Sequence, residues 1–186
     1  MRSDLKPASV EFAVGLFLLF CISGWVAVST LGVTSVVVQA EAYRLLFLPF
    51  AFVIDPQLLS ADQWGFPRNG WLGIVAITLL QFGMSRFTPA LPVGAYRLVS
   101  ACVVAPVVEE VIRAVMMRSM THRFGSFCAV VSVTLVWASV HDWFWVAMLQ
   151  QLTLCTVYVK TRNSLPAAIA AHFAMNVVVA GHHGWR

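Results

Sequence analysis

The chain is a series of long apolar stretches separated by short polar breaks, and its ionisable residues mark most of the breaks. No charged residue lies between Glu11 and Glu41, which leaves room for one membrane-crossing helix of about 20 residues. The apolar core of that stretch, Phe12 to Val28, follows Arg2 and Lys6 as a signal peptide would. It exceeds the usual signal core of about 7–15 residues and runs on into further apolar sequence, so a retained helix is predicted. A second stretch, about Val33 to Ile54, contains Glu41 and Arg44, which on a helix stand three apart and can pair. Five more follow: Gly70–Phe87, Tyr96–Arg118, Phe124–His141, Trp143–Val159 and Leu165–Gly181. The pattern predicts an all-α fold, a polytopic transmembrane helix bundle of about seven spans (six to eight). Residues 1–186 form a single membrane-embedded domain, with no internal repeat or linker.

Loop charge chooses between six spans and seven. With seven and a cytoplasmic N-terminus, Arg2, Lys6, Arg68, Arg118, Arg123, Lys160 and Arg162 fall inside, while Arg86, Arg97 and Arg186 fall outside. Omitting the second span abolishes that bias. The turn-rich segment Asp55 to Asn69, which carries Trp64, reads as an interfacial loop. Trp71, Trp143 and Trp145 near span ends fit an aromatic belt.

Composition narrows the class further. Hydrophobic residues make up 60% and charged residues 11%, against about 25% charged in soluble domains. Mean hydropathy is +0.82. A water-soluble enzyme, a nucleic-acid binder and a disordered chain are excluded, and the expected surroundings are a lipid bilayer. The four cysteines, Cys21, Cys102, Cys128 and Cys155, each sit in an apolar run without a CxxC pair and read as buried small hydrophobes.

Against this background, intramembrane ionisable residues point to function. The fourth span carries adjacent Glu109 and Glu110, followed by Arg113. Each carboxylate near mid-bilayer costs on the order of 3 kcal/mol to insert. Arg113 is four residues from Glu109 and three from Glu110, within reach of either. His141 follows Trp137 by four residues at the end of the fifth span, with Asp142 beside it. In the seventh, His172 and Asn176 are one turn apart. Two carboxylates, two imidazoles and an amide suffice to activate a water and stabilise an oxyanion. The competing reading is an ion-pair clamp between helices in a non-catalytic membrane binding or immunity-type protein. Gln150 and Gln151 read as interhelical hydrogen-bonders, and His182 and His183 as a wet tail.

Three stretches share an order: Ala105-Pro106-Val107-Val108-Glu109-Glu110, Trp137-Ala138-Ser139-Val140-His141, and His172-Phe173-Ala174-Met175-Asn176. This series resembles the CPBP family of intramembrane proteases, which includes CAAX-prenyl endopeptidases and bacteriocin-processing (Abi) proteins. The resemblance covers the C-terminal half, residues 101–179. It implies an integral membrane endopeptidase, here in a prokaryotic cytoplasmic membrane, acting on a membrane-anchored or hydrophobic peptide. It further implies that Glu109 and His141 activate the attacking water and that His172 and Asn176 form the oxyanion hole. Glu110 is the second carboxylate of the site. A glutamate-dependent mechanism without cofactor is favoured, with a divalent metal at the Glu/His cluster as the alternative. One feature departs from the family's Glu-Glu-x-x-x-Arg: the arginine comes one residue early, a rotation of about 100° on the helix. Arg113 is therefore expected to face Glu109 better than Glu110.

Overall fold

A computed structural model of the chain describes residues 7–30, 45–87, 99–141 and 143–184. Every regular element among them is helical. The long elements are α1 (Val10–Thr30), α4 (Gly70–Met84), α5 (Ala105–Phe124), α6 (Ser126–Ser139), α7 (Phe144–Lys160) and α8 (Leu165–Gly184). Two shorter helices, α2 (Phe47–Ile54) and α3 (Ala61–Trp64), flank a 3-10 turn at Pro56–Leu59, and a π turn at Ser100–Val104 leads into α5.

The expected spans are mostly recovered as helices, with shifted ends. The Glu41/Arg44 pair, the start of the fourth span and Asp142 lie outside the described residues. What is described of the second span is α2, only eight residues long. Among the described residues, one helix segment, Leu165–His182, is both long and apolar enough to cross a membrane. Shorter apolar helices run over Val10–Ser23, Gly70–Met84 and Ser126–Ser139.

Helix α5 is the axis of the bundle. It packs against α1, α2, α6 and α8, and Val108, Val111, Ile112, Val115, Met116 and Met117 are buried on its several faces. Being covered on several faces, it carries charge that meets other parts of the protein. Gly125, at φ 83°, breaks the chain between α5 and α6 in a conformation that suits glycine. At the α7–α8 turn two consecutive residues, Arg162 and Asn163, take positive φ. Their amides close the turn by donating to the Val159 and Tyr158 carbonyls.

Small residues set the closest approach. A Cβ on Gly73 of α4 would lie 2.8 Å from both γ-methyls of Val157 on α7, and one on Gly70 would lie 3.3 Å from the Ala167 Cβ of α8. Ala167 and Ala171 are fully buried, so this face of α8 permits tight packing.

The charged loops gather at one end of the bundle. Arg123 after α5 pairs with Glu11 at the start of α1 at 2.9 Å, and Asn69 donates to the Lys160 carbonyl. The structure adds buried anchors to the segment Asp55 to Asn69, which reads as an interfacial loop in the sequence. Asp55, Leu58 and Gln63 are buried. Arg118 bonds Asp55 Oδ2 at 2.7 Å and also Gln57, and Trp64 Nε1 donates to the Leu58 carbonyl. A buried carboxylate needs a charged, hydrogen-bonded partner, and Arg118 supplies it. The rest of the segment is mostly exposed, with Leu59, Trp64 and Phe66 at the surface.

Two further readings change. Cys128 is exposed, whereas Cys102 and Cys155 are buried and Cys21 half-buried; all four are free thiols. His182 lies on the last turn of α8, not in a tail beyond it. Trp71, Trp143 and Trp145 are exposed, while Trp137 is buried.

Candidate active site

Pro106, second in α5, has no N–H and a fixed φ, and the preceding turn widens to π geometry. One turn further on, the helix presents Glu110 and Arg113 to the interior, each only 1% exposed. They form an ion pair three residues apart. The second guanidinium nitrogen of Arg113 donates to Gln151 Oε1 on α7 at 2.5 Å. Its plane lies over the Trp137 ring of α6, 4.6 Å from the centroid. His172 of α8 (buried) brings its Nδ1 to 2.6 Å from Glu110 Oε1. One carboxylate and one guanidinium thus tie four helices together.

The expectation that Arg113 faces Glu109 is overturned: its partner is Glu110. A long side chain reaches either residue, so the surroundings decide. Gln151 and Trp137 draw the guanidinium to the interior side, and His172 holds Glu110 there. Glu109 is half-buried and stands outside this network among the described residues, although it acts electrostatically on Arg113 and on Cys21 of α1.

His141 follows the end of α6, which begins at Ser126 and stops at Ser139. Its ring turns back so that Nδ1 lies 2.7 Å from the Trp137 carbonyl. A carbonyl only accepts, so Nδ1 carries a proton and donates it to this bond. The ring is exposed and within electrostatic range of His172. The same reasoning applies to His172. Its Nδ1 faces a carboxylate that also holds a guanidinium, so Nδ1 donates and Nε2 of the neutral ring is a base.

Asn176, one turn beyond His172, donates from Nδ2 to the Ala101 carbonyl in the π turn at 2.7 Å. The contacts join Glu110 and Arg113 of α5 to His172 of α8, Gln151 of α7 and Trp137 of α6, whereas Asn176 and His141 are each bonded to a backbone carbonyl. Gln151 was legible as an interhelical hydrogen-bonder but not as the partner of Arg113. Gln150 bonds Gln81 of α4 at 2.6 Å. The Ala101 carbonyl carries no side-chain signal at all.

Among the described residues no three of His, Cys, Asp and Glu gather so as to hold a metal ion. The closest pair, Glu110 and His172, have their facing atoms engaged with each other.

Comparison with known families adds the remaining evidence. Residues 91–178 match the family described as type II CAAX prenyl endopeptidase, Rce1-like. No curated protein and no solved structure matches the chain. This similarity agrees with the resemblance carried by the three motifs; the matched region takes in the π turn, α5, α6, α7 and most of α8.

Proposed function

We propose that the chain is an intramembrane endopeptidase that hydrolyses a peptide bond in a membrane-anchored or hydrophobic substrate. The observation that carries this reading is the contact of His172 with Glu110, because it joins the first and third motifs at a buried polar centre within a family of prenyl endopeptidases. A prenylated peptide ending in Cys-aliphatic-aliphatic-X is the substrate class that the family name suggests. We place the chain in a prokaryotic cytoplasmic membrane with about seven spans and a cytoplasmic N-terminus. The collection of Arg118, Arg123 and the Lys160 turn at one end of the bundle supports this arrangement.

In the proposed cycle Glu109 and His141 hold a water between them and Glu109 takes its proton. Its half-buried carboxylate, outside the Arg113 network, suits a base better than one neutralised by a guanidinium. The second N–H of Asn176 then meets the developing oxyanion, and His172 joins it only as the imidazolium, with Nε2–H as the donor. No metal takes part.

The tautomer of His172 favours a second assignment within the same reaction. With Nδ1–H directed at Glu110, Nε2 can itself take the water's proton, and Glu110 becomes the carboxylate that orients the ring. Glu109→Gln and Glu110→Gln separate the two. Under the first assignment Glu109→Gln loses about 10²–10⁴-fold in cleavage while remaining folded. Under the second it stays active and Glu110→Gln carries the loss. If both variants cleave at the wild-type rate, neither glutamate is the base or its orienting partner; a folded wild-type protein that cleaves nothing sinks the protease reading.

A further inference from the structure

The hydrogen bond from Asn176 to Ala101 has a cause in the backbone. In a regular helix the Ala101 carbonyl would accept from the N–H of residue 105. That N–H instead bonds Ser100, five residues back, because the turn is a π turn. The donor five residues beyond Ala101 would be residue 106, which is proline and has none. Both helical donors are thus removed from one carbonyl, and a part-buried carbonyl inside a helix bundle still gains from a partner. The Asn176 side chain fills the gap at 2.7 Å.

We infer that Pro106 is a positioning residue: by keeping the Ala101 carbonyl vacant, it makes that carbonyl the anchor that orients the Asn176 amide. Anchoring decides which way round the amide sits. The carbonyl accepts only, so Nδ2 is fixed toward Ala101, and its second N–H and Oδ1 are fixed with it. A planar amide otherwise has two nearly isosteric orientations, only one of which presents a donor to a substrate carbonyl. The kinetic part of this inference rests on the proteolytic reading; the structural part does not.

The test is a double-mutant cycle of Pro106→Ala and Asn176→Leu, read by thermal unfolding in detergent and by cleavage of a farnesylated Cys-aliphatic-aliphatic-X peptide. Asn176→Leu leaves Ala101 without a donor and should lower the unfolding temperature. Pro106→Ala returns an N–H to the helix at the position five beyond Ala101. In the double variant most of the loss of unfolding temperature should therefore disappear. Activity should stay lost there, since the amide is gone. Pro106→Ala alone should remain folded and lower kcat, up to about 10²-fold, at unchanged KM, as expected when a transition-state group is misdirected but substrate binding is intact. Strictly additive shifts in unfolding temperature would overturn the shared carbonyl. An unchanged kcat in Pro106→Ala would overturn the positioning role. Coupled stability in a protein that cleaves nothing would leave the anchor standing and remove only the protease.

Discussion

His172 Nδ1 lies 2.6 Å from Glu110 Oε1, on a carboxylate that is also paired with Arg113. That relationship makes the charged centre of the bundle an interhelical device. Moving α8 away from α5 would remove this hydrogen bond from a buried carboxylate, whose ion pair with Arg113 lies within α5 itself.

Arg113→Ala should therefore be among the most destabilising single changes in the chain. It leaves Glu110 without its ion-pair partner, Gln151 without its donor and the Trp137 face without its cation. Removing one member of a buried pair costs about 3–5 kcal/mol. Arg113→Lys should recover only part, because an ammonium cannot hold two acceptors in fork geometry and stack on indole together. Unfolding in detergent, followed by helical circular dichroism, orders the three proteins as wild type, Lys, Ala.

Close packing of α4 on α7 makes a second prediction, independent of the site. Gly73→Ala puts a methyl 2.8 Å from the Val157 γ-carbons and should cost about 1–3 kcal/mol. Val157→Ala removes the clashing atoms, so the double variant should be more stable than the sum of the two single changes predicts. Additive costs would show that the two helices do not meet there.

Sequence and structure agree where composition alone decides the matter. Long apolar stretches had to become helices, and the carboxylates and imidazoles within them had to find one another or remain unpaired. That logic reached Glu110, His172 and Gln151. It missed wherever two choices were nearly equal on one helix. Whether Arg113 turns to Glu109 or Glu110 is a choice between i−4 and i−3, settled by Gln151 and Trp137 on other helices. Asp55 looked like a loop residue because its partner, Arg118, is 63 positions away. The acceptor of Asn176 is a backbone atom exposed by the combination of a π turn and Pro106, a feature of geometry and not of side-chain type.

Metal dependence gives a sharp outcome. With no set of three ligands among the described residues, purified protein should carry no stoichiometric zinc and should keep its cleavage rate after treatment with a chelator. Loss of activity that added zinc restores would place a metal in the mechanism.

The central claim is that a water is added across a peptide bond at this cluster. The most direct measurement is cleavage of a farnesylated Cys-aliphatic-aliphatic-X peptide by the purified, reconstituted protein in ¹⁸O-enriched water, followed by mass spectrometry of the fragments. The account predicts a new C-terminal carboxylate carrying solvent ¹⁸O with the wild type, and none with a folded variant in which Glu109 and Glu110 are both glutamine. A folded wild-type protein that leaves the peptide intact, or a double variant that cleaves it as fast, would contradict the account and leave the cluster as a clamp between helices.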